Sequence, residues 1–165
     1  MRQLTVVRHA KSSWDDPGLS DFERPLNDRG QRDAPRMAVW TRQAVGVPDA
    51  IVSSPALRAL TTARLFAVTL GIDVDHLLIQ NRVYEASLPT LLRMVRGFDD
   101  RYRHIMLFGH NPGLSELVHA LARCPFDQLP TCAVVQIEFG IKQWSEAAEH
   151  DGHLLRYQFP KQLRD

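Results

Sequence analysis

The sequence predicts an α/β fold in which a mostly parallel sheet lies between two layers of helices. Short apolar runs, typical of buried strands, alternate along the chain with segments whose apolar residues recur at helical spacing. Alternating strands and helices form parallel sheets with right-handed crossovers and helices on both faces. The chain has 165 residues, 44% of them hydrophobic, without an internal repeat or linker, so we expect one domain over residues 1–165.

The first predicted strand covers residues 4–7, a short apolar run bounded by polar residues. Segment 11–25 contains two prolines and a glycine and predicts a long loop. Asn27 is a suitable N-cap for a helix that extends to about Ala44. Pro35 lies beyond the first turn of this helix, where it removes a backbone hydrogen bond, so we expect a kink or a break there.

The second strand is predicted over residues 50–52, and a helix follows it directly. Ser54 is expected to cap this helix, and Pro55 to occupy its first position. Apolar residues then recur every three or four positions until Gly71, a residue suited to ending a helix. The pattern of segment 77–83 leaves both strand and helix open.

Two further helices and three strands are predicted in the second half of the chain. Residues 88–97 carry apolar side chains at helical spacing and end at a glycine. A buried strand over residues 105–108 precedes Asn111, an expected cap, and Pro112, a suitable first residue of the helix that follows. The last two strands are predicted over residues 133–139 and 154–159.

Composition and charge exclude several classes of function. Twenty basic and nineteen acidic side chains leave a net charge of +1, so no overall field attracts nucleic acid or an anionic membrane. The two cysteines show no metal-ligand spacing, and His150 and His153 are interpreted as part of a polar turn rather than as a weak metal site, so we expect no metal and no other cofactor. The apolar N-terminal run is too short for a signal peptide or a membrane span, and a cytoplasmic location fits best.

Three predicted strands end near residues that suit an anion. Arg8 and His9 follow the first strand, Arg58 lies just after the second, and His110 follows the strand over 105–108. In open α/β sheets, ligands bind beyond the carboxyl ends of the strands, so these groups can converge. Two of the three turns also open helices, whose N-terminal N–H groups favour anions. The sequence therefore predicts a phosphate-binding pocket.

Side-chain chemistry separates the roles of these residues. A guanidinium group stays charged and binds two phosphoryl oxygens at once, so Arg8 and Arg58 suit binding rather than proton transfer. Histidine, with an ordinary pKa of about 6.5, can be neutral and nucleophilic at cellular pH. One of the two histidines, His9 or His110, is therefore expected to attack phosphorus.

Three motifs, RHA at 8–10, SSPALRA at 53–59 and GHNP at 109–112, resemble those of the histidine phosphatase superfamily in kind and in order. RPLNDRG at 24–30 and PTCAVV at 130–135 make the chain most similar to the SixA-type phosphohistidine phosphatases. The resemblance implies a phosphoglycerate mutase-like α/β/α sandwich with an antiparallel edge strand. It also implies a phosphatase that works through a covalent phosphohistidine intermediate and needs no metal.

The resemblance further implies a role for each of the four residues. His9 is the expected nucleophile, Arg8 and Arg58 bind the phosphoryl oxygens, and His110 stabilises the charge that develops during transfer. Additional phosphate contacts are expected from the backbone N–H of Asn111 and from the hydroxyls that directly follow the nucleophile, of Ser12 and above all of Ser13.

A general acid is harder to assign, because carboxylates occur at several positions near the expected site. We predict Glu85, which follows segment 77–83 in the sequence VYEAS. Ser53 and Ser54 are interpreted as capping residues rather than catalytic alcohols. The residues that compete with Glu85 all lie in the first loop: Asp15, Asp16, Asp21 and Glu23.

The short connections after strands 50–52 and 105–108 leave few residues for a lid, so we expect an open site. By analogy, an open site favours phosphohistidine on a partner protein as the substrate. Two alternatives remain: a phosphatase, or less favoured a mutase, of small phosphorylated molecules, and a non-catalytic module that binds phosphorylated partners. A pure binding module needs no nucleophile, which argues against the module. We expect no nucleic acid or membrane partner.

Overall fold

The computed structural model describes residues 1–163. One sheet is formed by six strands: β1 (Arg2–Arg8), β2 (Ala50–Ser53), β3 (Leu78–Ile79), β4 (His104–Gly109), β5 (Val134–Phe139) and β6 (His153–Gln158). The helices are α1 (Asp28–Ala44), α2 (Leu57–Leu70), α3 (Leu88–Arg96) and α4 (Gly113–Leu121). Segment 77–83, which the sequence pattern assigns to neither strand nor helix, contains the short strand β3, followed by a 3-10 turn.

The strand order in the sheet is β3-β2-β4-β1-β5-β6. Strands β1 to β4 are parallel, whereas β5 is antiparallel to β1 and β6 is antiparallel to β5. The expected α/β fold around a mostly parallel sheet is confirmed, with its antiparallel pairing at one end. Because β2, β4 and β1 are parallel neighbours, their carboxyl ends reach the same edge of the sheet.

Helices cover both faces of the sheet and bury a core on each. On one face, Phe66 of α2 packs edge-on against Phe108 of β4, with ring centroids 5.0 Å apart, and Met37 of α1 joins the same cluster. On the other face, Leu91 of α3 and Leu117 of α4 belong to a second buried cluster. This is the predicted three-layer arrangement. Within residues 1–163, no helix combines the length and apolar character needed to cross a membrane.

Helix α1 spans the predicted residues, and the side chain of its N-cap, Asn27, accepts a hydrogen bond from the Gly30 N–H at 2.9 Å. The helix continues through Pro35, so the expected break is wrong. Proline removes the donor for the carbonyl of Gln31, four residues earlier. Gln31 lies on the exposed side of α1, where water can replace the missing donor.

Helices α2 and α4 begin later than the sequence predicts. Ala56 is the N-cap of α2, and the Ser54 hydroxyl accepts a hydrogen bond from the Ala56 N–H just before the helix begins. Pro112 is the N-cap of α4, and the Asn111 side chain makes other contacts. The prediction that Ser54 and Asn111 cap these helices is therefore wrong. Both residues instead belong to turns that face the sheet edge described next.

Candidate active site

The carboxyl ends of β1, β2 and β4 open into a cavity of about 750 Å³, here called the main cavity. Arg8 and His9 reach it from β1, Arg58 from the first turn of α2, and His110 from the turn after β4. The structure thus brings together the four residues that the motifs single out. The turns after β2 and β4 span only residues 54–56 and 110–112, so the expected short connections are present.

His9 is held by its backbone and by its ring. Its N–H donates to Gly109 O, and its carbonyl accepts from Cys132 N–H, both at 3.0 Å. The ring Nδ1 lies 2.7 Å from Ala10 O. A carbonyl oxygen only accepts hydrogen bonds, so Nδ1 carries the proton and the lone pair of the neutral ring is on Nε2.

Burial keeps the His9 ring neutral. Its side chain lies almost entirely inside the protein, and this desolvation lowers the pKa of His9 to about 3. The bond to Ala10 O opposes the shift, while the nearby His110, Arg8 and Arg58 add to it. Nε2 of His9 is therefore an unprotonated nitrogen at neutral pH, the state that a nucleophile requires.

The His110 ring lies beside that of His9, with centroids 5.2 Å apart, but it presents the opposite nitrogen to the cavity. Its Nε2 lies 2.7 Å from the buried Ser54 hydroxyl. That hydroxyl accepts from Ala56 N–H, and within residues 1–163 the one acceptor in reach of its own hydrogen is Nε2 of His110, so the hydroxyl donates to Nε2. Nδ1 of His110 then carries the ring proton. Desolvation lowers the pKa of His110 to about 4, so the ring is a neutral donor.

The two arginines are anchored through the tips of their guanidinium groups. Nη1 of Arg8 donates to Leu129 O at 2.9 Å. Arg58 donates from Nη1 to Asp21 O at 2.7 Å and from Nη2 to Asp21 Oδ2 at 3.0 Å. Desolvation, and then the charge of Arg58, lower the pKa of Arg8, but a guanidinium remains charged in proteins. Both side chains are thus fixed before any ligand binds.

Three buried donors at the main cavity have no partner in the protein. Across residues 1–163, the buried side-chain nitrogen and oxygen atoms that lack a hydrogen bond are Arg8 Nε, Arg58 Nε and His110 Nδ1. An unpaired buried donor costs about 1–3 kcal/mol, so such atoms are rare unless a ligand uses them. Donors of this kind beside a neutral imidazole nitrogen suit an oxyanion such as a phosphoryl group.

The first loop forms one wall of the main cavity. Arg24 stacks on the Trp14 ring, 3.5 Å from its centroid, and donates to the Ser12 hydroxyl at 2.6 Å. The Tyr84 hydroxyl donates to Asp21 Oδ2 at 2.7 Å, a bond that contributes most to lowering the pKa of Asp21 to about 2. The motif that begins at Arg24 thus holds the loop against the site.

The remaining predicted site residues differ in position. Glu85 lies at the main cavity with an exposed side chain. Asn111 also reaches the cavity, but its side chain donates to Leu129 O at 2.9 Å and accepts from the Ser115 hydroxyl at 2.7 Å. Ser13 does not reach the cavity wall, because its hydroxyl accepts from Asp15 N–H in the loop, and Ser12 takes that place. The expected phosphate contact of Ser13 is therefore not supported.

The four carboxylates of the first loop that compete with Glu85 differ in whether they reach the main cavity. Of the four, only Asp21 reaches the main cavity among residues 1–163, and its low pKa makes it a poor proton donor. Glu116 of α4, which the sequence did not single out, also lies at the cavity with an exposed carboxylate. Within the described chain, no group of three or more histidine, cysteine or acidic residues is arranged to hold a metal ion.

Sequence analysis also missed the contacts of Ser54 and Tyr84. Ser54 was interpreted as a cap because it precedes a proline, and its approach to His110 depends on β2 and β4 being neighbours. Tyr84 directly precedes Glu85, but its contact with Asp21 joins segments that are 63 residues apart. Neither contact produces a sequence spacing that would reveal it.

A protein-family model matches the part of the chain that contains two of the site motifs. Residues 4–88, half of the chain, match the model of the histidine phosphatase superfamily, branch 1. The chain belongs to the histidine phosphatase superfamily. The matched region contains the motifs of His9 and Arg58, and the sequence resemblance described above is therefore confirmed at the family level.

Relatives within the superfamily include proteins with different substrates. A protein of Mycobacterium tuberculosis without an assigned function is 35% identical over 116 residues, 70% of each chain. A structure from Agrobacterium tumefaciens, assigned as the phosphohistidine phosphatase SixA, is 25% identical, with a TM-score of 0.79 over 96% of this chain and 98% of the other. A mycobacterial glucosyl-3-phosphoglycerate phosphatase shares the fold at 16% identity, with a TM-score of 0.64 over 94% and 97%.

These likenesses place the chain among SixA-type members of the histidine phosphatase superfamily and support a phosphatase activity. The phosphoglycerate mutase-like fold expected from the motifs is likewise confirmed.

Proposed function

We propose that this protein is a phosphatase that removes the phosphoryl group from phosphohistidine on a partner protein, with His9 as the covalent acceptor. The observation that carries the proposal is that Arg8, Arg58 and His110, each with an unpaired buried side-chain nitrogen, line one cavity with His9. The two free cysteines support action in the reducing cytoplasm.

In the first step, Nε2 of His9 attacks phosphorus in line with the leaving group. A P–N bond to His9 forms as the P–N bond of the substrate breaks, and the electron pair of the broken bond stays on the leaving imidazole. The substrate reacts in its cationic ring form, in which the other ring nitrogen is protonated, so a neutral imidazole leaves. The donors Arg8 Nε, Arg58 Nε and His110 Nδ1 bind the phosphoryl oxygens throughout.

In the second step, water attacks the phosphoryl group on His9. The bond to Nε2 breaks, its electron pair returns to the ring, and both protons of the water stay on the released phosphate, which leaves as dihydrogen phosphate. Nδ1 of His9 keeps the proton that it donates in the hydrogen bond to Ala10 O. The ring therefore leaves in its neutral form. Ala10 O thus lowers the barrier of both steps by fixing one tautomer.

The choice of phosphohistidine rests on the leaving group and on the rim of the cavity. A protonated imidazole needs no general acid, whereas the alkoxide of a phosphate ester does. The carboxylates Glu85 and Glu116 are both exposed, which suits a reaction with little need for one. Trp14, 72% exposed, leaves the rim of the cavity accessible to a protein surface.

The substrate proposal is tested by comparing kcat/KM for a histidine-phosphorylated protein with kcat/KM for sugar and nucleotide phosphates. We expect the phosphoprotein to be preferred by at least about tenfold, a difference in barrier of about 1.4 kcal/mol. His9→Ala serves as the control and should be inactive on every substrate. A higher kcat/KM for any of the small phosphates would overturn the substrate assignment.

A small-molecule phosphatase is the second candidate. The main cavity, at about 750 Å³, has the volume of a small-ligand site, and the fold is shared with a glucosyl-3-phosphoglycerate phosphatase. The same four residues would act, with Glu85 or Glu116 as the proton donor to the leaving oxygen. The substrate comparison above distinguishes this candidate from the first.

A further inference from the structure

A second cavity of about 360 Å³ adjoins the main cavity. The two cavities share Arg8, Lys11 and Thr131, so one ligand can reach both. The other residues of the second cavity come from the start of α1, from the segment before β5 and from the chain after β6: Arg29, Pro130, Phe159, Pro160 and Lys161. We call this second space the basic cavity.

The two cavities differ in charge. Four cationic side chains line the basic cavity, and within residues 1–163 no carboxylate lines it. The main cavity, by contrast, is lined by Asp21, Glu85 and Glu116 as well as by its cations. An anionic group that extends from the phosphoryl site is therefore attracted toward the basic cavity, where no carboxylate of residues 1–163 opposes it.

The carboxylate of Asp33 pairs with Arg29 but does not neutralise the basic cavity. Asp33 lies 3.4 Å from Arg29 Nε, but it also lies 3.7 Å from Arg36 Nη1, so one carboxylate serves two guanidinium groups. The Asp33 side chain is itself buried, whereas Arg29, Lys11 and Lys161 are exposed. These three cations therefore keep their charge facing solvent and can reorient onto a ligand.

We infer that the basic cavity is a second anion subsite, which binds a carboxylate or phosphate group carried by the same substrate molecule. Arg8 joins the two sites, because it lies in both cavities and its Nη1 is anchored on Leu129 O. Resting on the proposed function, this subsite selects a partner protein with an acidic side chain close to its phosphohistidine. The subsite itself requires only the charges and the shared wall.

The subsite is tested first by binding of inorganic anions, which requires no catalysis. Isothermal titration at fixed ionic strength compares phosphate, which occupies the phosphoryl site alone, with tripolyphosphate, whose additional phosphoryl groups can extend from that site toward the basic cavity. We expect Lys161→Ala and Arg29→Ala each to weaken tripolyphosphate binding by about threefold, the effect of one exposed ion pair, and to leave phosphate binding unchanged. The double variant should lose about tenfold.

Arg64→Ala is the matched control, because Arg64 is an exposed arginine on α2 that lines neither cavity. It should change neither affinity. Equal weakening of both anions by Lys161→Ala and Arg29→Ala, or no weakening of either, would overturn the subsite.

A kinetic comparison then tests the link to the substrate. Two phosphohistidine peptides, with and without a glutamate next to the phosphorylated residue, are compared with the wild type and with the double variant. We expect the glutamate to lower KM for the wild type and to have no effect on KM for the double variant. If neither peptide is hydrolysed while the anion titrations succeed, the proposed function fails and the subsite stands. If the peptides are hydrolysed but the titrations fail, the subsite proposal is wrong and the proposed function is unaffected.

Discussion

At the scale of single residues, His9 and His110 differ in the hydrogen bond that fixes each ring. Ala10 O holds the proton on Nδ1 of His9 and leaves Nε2 free to attack, whereas the Ser54 hydroxyl occupies Nε2 of His110 and leaves Nδ1–H to donate. Two imidazoles with ring centroids 5.2 Å apart thus receive opposite tautomers, one suited to a nucleophile and one to a donor.

Ser54 is a positioning residue in this account, and Ser54→Ala removes the bond that fixes the His110 tautomer. We expect kcat to fall by roughly tenfold, the value of one buried hydrogen bond, with a smaller change in KM. Ser54→Thr keeps the hydroxyl and should restore most of the rate. NMR of the imidazole nitrogens should show the Nδ1–H form of His110 in the wild type and a mixture of tautomers in Ser54→Ala.

Ser53→Ala is the matched control, because the Ser53 hydroxyl is equally buried but donates to Ser54 O and not to His110. If Ser53→Ala and Ser54→Ala lower kcat equally, the contribution of Ser54 is to packing alone.

The role of Glu85 as a general acid is tested by comparing the rate loss of a Glu85 variant with two different leaving groups. Glu85→Gln should leave the hydrolysis of phosphohistidine unchanged within about twofold, and it should slow an alkyl phosphate by about a hundredfold if Glu85 is the acid for esters. Glu116→Gln is the parallel variant. A large loss with phosphohistidine in either variant would show that the leaving imidazole does need a proton from the enzyme.

The four motif residues that line the main cavity could be predicted, because each lies in a short motif that begins at the end of a strand. His9, Arg58 and His110 are examples, and the sheet order then brings them together. Ser54 and Tyr84 could not be assigned, because their partners belong to other strands and loops. Of the two hydroxyls that follow the nucleophile, Ser12 reaches the main cavity and Ser13 does not, since the extended chain turns successive side chains to opposite sides.

At the scale of elements, the contact between the first loop and α1 depends on one glycine. A Cβ atom on Gly30 would lie 2.2 Å from Lys11 O, so the backbone after His9 can pass the first turn of α1 only over a glycine. Lys11 O also accepts a hydrogen bond from Asn27 N–H at 3.0 Å. The register of the loop against the helix is therefore fixed close to the nucleophile.

Gly30→Ala should displace the backbone at Lys11 and lower both stability and activity. We expect the free energy of unfolding to fall by about 2 kcal/mol or more, since overpacking against backbone is not easily relieved. Urea denaturation measures the first effect, and kcat/KM of the folded fraction measures the second. Gly140→Ala is the control, because its Cβ would meet nothing closer than Met1 Sδ at 4.0 Å. Equal stability of the two variants would contradict this contact.

Element boundaries were predictable where a local signal decides them and not where tertiary contacts do. Asn27 and Gly71 bound their helices as predicted, because an N-cap side chain and a left-handed glycine act within one turn. Helix α2 begins two residues after Pro55, since Ser54 N–H is bonded to Phe108 O of the neighbouring strand and Ser54 Oγ to His110. Pro35 lies within α1 without ending it, because packing of Ala34 and Ala38 against the core holds the helix on both sides.

At the scale of the whole molecule, the burial of neutral histidines makes the free energy of unfolding depend on pH. The pKa is lowered to about 3 for His9 and to about 4 for His104 and His110, in each case mainly by desolvation. In the unfolded chain these rings titrate at about 6.5. Below that pH the unfolded chain binds more protons than the folded protein, so the free energy of unfolding decreases as the pH falls.

We therefore expect the stability to be highest above pH 6.5 and to decrease between about pH 6.5 and 4, by at most about 1.4 kcal/mol per pH unit for each histidine. Urea denaturation at pH 7.5, 6.0 and 5.0 measures this slope. His104→Gln, which removes one of these three rings, should reduce the slope. A free energy of unfolding that is constant from pH 7.5 to 5.0 would show that these rings are not kept neutral by the fold.

The central claim, that His9 carries the phosphoryl group, is tested most directly by rapid quench with a substrate labelled in its phosphoryl group. We predict an early burst approaching one labelled phosphoryl group per protein molecule, labile to acid and stable to base, with peptide mapping to His9. His9→Ala should fold, by circular dichroism, and show no burst. Label on another residue, or turnover without any covalent label at the earliest times, would contradict the account.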